Sequence, residues 1–202
     1  MLFRSTVEAY YADKRLLFRN AAADCVWVLN DDDPAVRALA RGAPGRRALF
    51  SLTHSADAWY DAAERCLRLG GHGLLRRDEL QLLGDHNAAN ALAAALAVRE
   101  AGVPPDVIGE GLRSFRALPH RLEPVREVQG VLWINDSKAT NIASTVVAVE
   151  AMHRPFVLLL GGRHKGEPYT RLVPLLRQQC RLVIAYGESG PLVEREIGRA
   201  HV

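Results

Sequence analysis

The sequence predicts an α/β fold divided into two domains. In the second half of the chain, apolar runs typical of strands alternate with segments of helical period, which indicates a parallel, doubly wound sheet. Residues 116–121 have no clear period and separate this half from the alanine-rich part of the chain. We therefore expect a first domain over residues 1–117 and a second domain over residues 118–202.

The first domain opens with a predicted helix, because Val7, Tyr10 or Tyr11, and Leu17 or Phe18 recur at helical spacing. Apolar runs bounded by turn-forming residues predict its strands, and the long alanine-rich helix ends at Gly102. In chain order, the predicted elements are helix 5–20, strand 25–29, helix 35–41, strand 47–52, short strands or a meander over 58–61, 66–69 and 73–76, and helices 87–100 and 105–115.

The second domain begins with two predicted strands joined at Gln129-Gly130. Its elements are strands 122–128 and 131–134, helix 141–152, strand 155–160, helix 170–179, strand 182–186 and helix 191–197. Strands 131–134 and 155–160 are each followed by a segment with polar or charged residues. In a parallel sheet, the carboxyl ends of such strands face one crevice, which is where open α/β sheets bind their ligands.

Composition indicates an ordinary globular protein rather than a nucleic-acid binder. The 202 residues are 49% hydrophobic and 24% charged, and the formal net charge is only +3. Lysine is rare, since Lys14, Lys138 and Lys165 are the only three, and each is therefore of interest. We expect no nucleic-acid partner.

Cysteine usage and hydropathy predict a protein of the reducing cytoplasm. Cys25, Cys66 and Cys180 are far apart and form no C-x-x-C pair, which argues against a disulfide framework or a zinc site. Their apolar neighbourhoods predict buried thiols. The sequence has no apolar stretch long enough for a signal peptide or a membrane helix, so we expect no membrane association.

The segment Val131-Leu-Trp-Ile-Asn-Asp-Ser-Lys-Ala-Thr-Asn-Ile-Ala-Ser-Thr145 predicts an anion site. It reads as a strand, a polar turn and the start of a helix, whose free N–H groups and dipole favour an anion. Lys138 adds a cation, Thr140 a hydroxyl, and Asp136 an acceptor for hydroxyls or a metal. The alternative for any one of these residues is a capped helix start with surface charges.

Four further sets of residues give weaker functional predictions when each set is considered alone. Asn87 and Asn90 share a helix face and could hold a nucleotide, or simply cap the helix. Arg121 suits a phosphate, or is a surface arginine. Lys165 follows a strand that ends in Gly161-Gly162, where a ligand can approach the backbone. The sequence around Lys14, taken alone, is typical of a solvent-exposed lysine on a helix.

Familiar catalytic motifs are missing from the sequence. It contains no G-x-x-x-x-G-K-[ST] phosphate loop, no G-x-S-x-G and no H-E-x-x-H. These residues alone therefore do not predict a self-contained nucleotide hydrolase.

Together these runs resemble the Mur ligase family. The matching runs are Gly84-Asp-His-Asn-Ala-Ala-Asn90, Leu118-Pro-His-Arg121, Trp133-Ile-Asn-Asp-Ser-Lys-Ala-Thr-Asn141, and Leu158-Leu-Leu-Gly-Gly162 with Lys165. The resemblance implies the C-terminal half of a central ATP-binding domain, followed by the N-terminal part of a Rossmann-like ligase domain. The family's N-terminal domain, phosphate loop and extreme C-terminus are expected to lie outside this chain.

The resemblance also implies an activity and roles for the residues. It implies an ATP-dependent, cytoplasmic, monomeric ligase that joins D-glutamate to UDP-N-acetylmuramoyl-L-alanine through an acyl phosphate in peptidoglycan synthesis. Asn87, Asn90, Arg121 and Asp136 resemble ATP contacts, while Lys138, Thr140 and Lys165 resemble groups near the D-glutamate carboxylates. Lys14 resembles a carbamylated catalytic lysine that holds Mg²⁺. The alternatives are another Mur-type or folylpolyglutamate-synthase-like ligase, or a non-catalytic nucleotide-binding fragment.

Overall fold

The computed structural model describes residues 6–198 as two compact units. The first unit comprises residues 6–81 and 87–115, and the second comprises residues 82–86 and 116–198. The sequence-based boundary at residues 117 and 118 assigned residues 82–86 to the first domain. In the structure, Gly84 of this segment lies against Ala151, where an added Cβ would be 2.8 Å from the alanine side chain.

The first unit is a mixed five-stranded sheet with helices. Its elements are α1 (Val7–Arg15), a 3-10 turn (Leu16–Phe18), β1 (Val26–Asn30), α2 (Pro34–Leu39), β2 (Arg46–Ser51), β3 (Ala58–Asp61), β4 (Cys66–Leu69), β5 (His72–Arg76), α3 (Asp85–Glu100) and α4 (Pro105–Ser114). The strand order is β1-β2-β3-β4-β5, parallel from β1 to β3 and antiparallel from β3 to β5. The predicted meander over β3–β5 is confirmed.

Helix α3 packs against the rest of its unit through a narrow apolar stripe. Its buried residues recur every three or four positions: Ala88, Ala91, Leu92, Ala95 and Leu96. The alanines allow close approach of the helix to its neighbours, while Leu92 and Leu96 are fully buried. Each leucine contributes about 1.5–3 kcal/mol by its burial.

Two expectations about burial in the chain are wrong. The continuous apolar run over residues 25–29 predicts a buried strand, but β1 lies at the edge of the sheet, and within it only Leu29 is buried. The three cysteines are free, as expected, but each is half-buried rather than buried. An apolar run thus predicted the strand correctly, but not its place in the sheet.

The second unit contains a hairpin and a separate pair of parallel strands. Its elements are β6 (Glu123–Val128), β7 (Val131–Asn135), α5 (Ile142–Glu150), β8 (Phe156–Gly161), a 3-10 helix (Tyr169–Leu172), α6 (Val173–Gln179), β9 (Cys180–Tyr186) and α7 (Gly190–Ile197). Strands β6 and β7 pair antiparallel, and β8 and β9 pair parallel. Buried side chains of its helices form the core: Ile142, Val149, Tyr169, Leu172, Leu176 and Val193.

The expectation that β7 and β8 belong to one parallel sheet and end at the same crevice is wrong. The loop between β6 and β7 has two residues, Gln129 and Gly130, with φ of +50° and +77°. Positive φ at both positions is the type I′ geometry, whose twist favours a tight hairpin. Strand β7 therefore pairs with β6, and it belongs to a different sheet from β8.

One face of the β8–β9 pair is covered by helices and the other is open. Side chains on β8 alternate, with Leu158 and Leu160 packed against the core while Leu159 is exposed. On β9, Val183 packs against the core while Ile184 is exposed. No helix among the described residues is long and apolar enough to cross a membrane.

Candidate functional site

Two of the sequence motifs form one structure at the turn after β7. The Leu122 N–H donates to Asp136 Oδ1 at 3.0 Å, and the Lys138 N–H donates to the His120 carbonyl at 2.9 Å. Asn135 Nδ2 lies 2.8 Å from His120 Nδ1. The segment before β6 and the segment after β7 are therefore fastened together by backbone and side-chain hydrogen bonds.

The backbone around Arg121 is strained. His120 and Leu122 have φ of +67° and +43°, and neither is a glycine. The left-handed region costs a residue of this kind about 1–2 kcal/mol. Leu122 is only 5% exposed, and its burial together with the hydrogen bond to Asp136 holds this conformation. Arg121 between them is exposed, and no described residue forms an ion pair with its guanidinium.

Sequence reasoning missed the role of His120. The histidine accepts through its carbonyl, pairs through its ring with Asn135, and donates its N–H to Glu123 Oε2 at 2.8 Å. The only hint was its place beside Arg121 in Leu118-Pro-His-Arg121. One oxygen of Asp136, a predicted ligand group, is likewise used to position the backbone.

A cavity of about 200 Å³ lies beside the start of α5. Its lining includes Thr140 and Asn141 from the helix start, and His164 and Lys165 from the loop after β8. Thr140 and Lys165, two of the predicted site residues, thus share one cavity. Asp136 and Lys138 are not in its lining.

The charges around the cavity leave one cation unpaired. Arg163 pairs with Glu188 at 3.4 Å, and Glu167 pairs with Arg171 at 3.8 Å. Lys165 forms no ion pair or hydrogen bond with any residue from 6 to 198. The N-terminus of α5 also opens here and favours an anion. The cavity is therefore suited to a negatively charged ligand.

The size of the cavity restricts the ligand class. Pockets for drug-sized ligands usually measure about 300–1,000 Å³. At about 200 Å³, this cavity suits a molecule of amino-acid size better than a nucleotide.

Position 161 requires glycine for a structural reason that the sequence did not reveal. A Cβ on Gly161, at the end of β8, would collide with the carbonyl oxygen of Tyr186 on β9. Glycine was predicted here for the approach of a ligand. The structure instead shows that the neighbouring strand needs the space.

The first unit holds the remaining predicted residues. Asn90 Nδ2 donates to Asn87 Oδ1 at 3.2 Å, so these two amides share one face of α3. Lys14 on α1 is exposed, and its Nζ lies 5.4 Å from the centroid of the Tyr10 ring, a cation–π distance. Over residues 6–198 there is no cluster of three His, Cys, Asp or Glu residues that could hold a metal ion.

A polar network at the ends of β1 and β2 was not foreseen. Asp32 accepts hydrogen bonds from the hydroxyls of Ser51 and Thr53 and from the Leu52 N–H, each at 2.6 Å. Burial raises the pKa of Asp32, but these hydrogen bonds and the nearby His54 outweigh it and hold the pKa below its usual value. The network fastens β1 to β2.

The same network places a serine, a histidine and an acid in line. Ser51 Oγ lies 3.1 Å from His54 Nδ1, and His54 Nε2 lies 2.7 Å from Asp31 Oδ2. Ser51 is fully buried, and its hydroxyl donates to Asp32 rather than to the histidine. The arrangement is therefore structural and does not activate a nucleophile.

Comparison with known proteins shows what the chain is similar to. Residues 2–98 match the Mur ligase middle domain. The UDP-N-acetylmuramoylalanine--D-glutamate ligase of Salinibacter ruber is 44% identical over 95% of this chain, which covers 43% of that protein. The enzyme of the same name from Symbiobacterium thermophilum is 38% identical over 96% of this chain, which covers 44% of it. The chain therefore spans less than half the length of these relatives.

Solved structures show the same fold. A pseudomurein peptide ligase type C from Methanothermus fervidus aligns with a TM-score of 0.74 at 16% identity, over 98% of this chain and 48% of that one. MurF from Acinetobacter baumannii aligns with a TM-score of 0.69 at 16% identity, over 93% of this chain and 49% of that one. The partial α/β fold, the matched middle domain and the sequence relatives agree, and all of them make this chain similar to the Mur ligase family.

Proposed function

We propose that this chain is part of an ATP-dependent ligase that joins D-glutamate to UDP-N-acetylmuramoyl-L-alanine in peptidoglycan synthesis. The observation that supports this most directly is the small cavity shared by Thr140 and Lys165 beside the start of α5. Its size and its unpaired cation suit an acidic amino acid. Relatives at 38–44% identity bear the name of this D-glutamate ligase.

In this reaction ATP transfers its γ-phosphoryl group to the carboxylate of the acceptor and is released as ADP. The amine of D-glutamate then attacks the acyl phosphate, and the amide forms as phosphate leaves and the amine loses a proton. The work of this chain is positioning and charge stabilisation. Lys165 and Thr140 would bind carboxylates of D-glutamate inside the cavity. Lys138, on the turn before it, would add positive charge outside the cavity lining.

The nucleotide side of the reaction is assigned to five residues. Asn87 and Asn90 would contact ATP from α3, and Arg121 would contact it from the strained segment that Asp136 fastens. Asp136 keeps a second oxygen for the nucleotide or its metal. Lys14 has an exposed amine that carbon dioxide can reach, and its carbamate would give Mg²⁺ an oxygen ligand.

We assign the two units to two domains of such an enzyme. Residues 1–117 would form the C-terminal half of the central ATP-binding domain, and residues 118–202 the first part of the ligase domain. The complete enzyme would be a cytoplasmic monomer that serves cell-wall synthesis and thereby cell shape and division.

A chimaera tests the proposal. The chain replaces the matching region of the Salinibacter ruber ligase, with which it is 44% identical. We expect the chimaera to ligate D-glutamate, and Lys165→Met to raise the KM for D-glutamate much more than the KM for ATP. A folded, ATP-binding chimaera that uses L-glutamate or another amino acid would support a different ligase of this type. A folded chimaera that ligates no amino acid would indicate that this chain is a non-catalytic nucleotide-binding fragment.

A further inference from the structure

His164 is held in the cavity by the protein core. It is half-buried, whereas Arg163 and Lys165 on either side of it are exposed. Its ring lies 5.5 Å from the Tyr169 ring, tilted by 44°. Tyr169 is 7% exposed, and its N–H donates to Glu196 Oε2 at 2.7 Å. The imidazole therefore packs against the ring of a buried core residue.

The ring nitrogens of His164 have no hydrogen-bond partner within residues 6–198. The other charged groups on the loop are Arg163, Lys165 and Glu167, of which Arg163 and Glu167 have partners outside the cavity. Besides the Thr140 hydroxyl and the start of α5, Lys165 and His164 are thus the groups of the described cavity lining that remain to meet the charge of a bound anion. An acidic amino acid brings two carboxylates, and a single lysine neutralises one of them.

We propose that His164 donates a hydrogen bond to one carboxylate of the amino-acid substrate and so helps this site select an acidic amino acid. The inference rests on the proposed function. A neutral imidazole always has one N–H donor, so the contact does not require a charged ring. His164 acts on binding and orientation, together with Lys165 and Thr140.

The test is a binding titration of the ¹⁵N-labelled 202-residue chain. D-glutamate is compared with D-glutamine and D-isoglutamine, each of which has one of the two carboxylates replaced by an amide. The amide signals of Thr140 and Gly161 report on the cavity. The variant is His164→Phe, which keeps a ring against Tyr169 and removes the N–H.

We expect His164→Phe to weaken D-glutamate binding at least about tenfold, because a hydrogen bond to a charged group is lost. For the one monoamide that lacks the contacted carboxylate, the change should be less than about twofold. Which monoamide this is identifies the carboxylate. The matched control is His153→Phe, an exposed histidine outside the cavity lining, which should leave all three affinities unchanged.

Two results would overturn the role of His164. One is unchanged D-glutamate affinity in His164→Phe. The other is an equal loss for all three ligands, which indicates obstruction instead of a lost contact. If His164→Phe does not fold, His164→Ala takes its place in the same titration. If the unmodified chain binds none of the ligands while the chimaera ligates D-glutamate, only this inference fails; if neither occurs, the proposed function fails as well.

Discussion

Asp32 shows how one carboxylate can join two strands. Its two oxygens accept from Ser51, Leu52 and Thr53, which end β2 or follow it, while Asp32 itself follows β1. Hydrogen bonds to a charged group stabilise a fold by about 1.5–3 kcal/mol each, before the cost of burial is subtracted. The carboxylate therefore stabilises the fold more when it is charged than when it is protonated.

The stability of the chain should depend on pH through Asp32. The folded pKa of Asp32 lies below its unfolded value of about 3.9, so the unfolded chain takes up the proton first as the pH falls. The stabilisation is complete above about pH 5 and is lost as the pH falls through the folded pKa. Urea unfolding at pH 7, 5, 4 and 3 should show a large deficit for Asp32→Asn at pH 7 that shrinks toward pH 3.

The control for this pH series is Asp24→Asn, which changes an exposed aspartate of the same unit. Its unfolding free energy should follow that of the unmodified chain at every pH. A deficit of Asp32→Asn that stays constant from pH 7 to pH 3 would contradict the role of the charge.

Asp136 should have a positional role that can be separated from a direct contact with ATP. Asp136→Ala leaves the buried Leu122 N–H without its acceptor, which should cost about 1–3 kcal/mol of unfolding free energy. Asp136→Asn keeps an acceptor oxygen and should cost less. If the role of Asp136 is purely positional, Asp136→Asn in the chimaera should have a near-normal KM for ATP. If the charge of Asp136 contacts ATP, both variants should raise the KM for ATP.

At the scale of secondary-structure elements, local sequence patterns predicted individual helices and strands. They did not predict which strands pair with each other. Helix α3 and the β3–β5 meander follow from apolar spacing and turn residues close together in the chain. The partner of β7 depended on the backbone geometry of Gln129 and Gly130, which composition does not reveal. The bonds of Asp32 span 19 to 21 residues, so no periodicity could indicate them.

The site was partly predictable for the same reason. Thr140 and Lys165 stand out because each follows a recognisable strand, and the structure puts both on one cavity. The strands themselves belong to separate sheets, so the expected parallel crevice is replaced by a cavity between a helix start and a loop. His120 was missed because Asn135 and Lys138, which it contacts, are distant in sequence, and His164 because it lies in a loop without regular period.

The β6–β7 turn gives a prediction at this scale. Gln129 has φ of +50°, where asparagine is tolerated better, and Asn-Gly is the preferred type I′ pair. Gln129→Asn should therefore stabilise the chain by about 0.5–1 kcal/mol in urea unfolding. Gly130→Ala places a Cβ at φ of +77° and should destabilise it by about 1–2 kcal/mol. Equal effects of the two substitutions would contradict the I′ geometry.

At the scale of the whole molecule, the β8–β9 pair is unusual in its open apolar face. Doubly wound sheets have helices on both faces. Among residues 6–198, helices cover only the side of Leu158 and Val183. Leu159 and Ile184 pair across the strands on the other side and are 56% and 45% exposed. A bare patch of this kind binds apolar probes and favours association.

The open face should be visible to the dye ANS in the folded chain. We expect the double variant Leu159→Thr/Ile184→Thr to bind clearly less ANS with nearly unchanged unfolding free energy, because both side chains are already exposed and threonine suits a strand. Leu158→Thr, on the covered side of the same strand, should instead cost about 1–3 kcal/mol and increase ANS binding, because it disturbs the core. If the double variant were as destabilising as Leu158→Thr, the face would be packed in solution and β8 would have two buried sides.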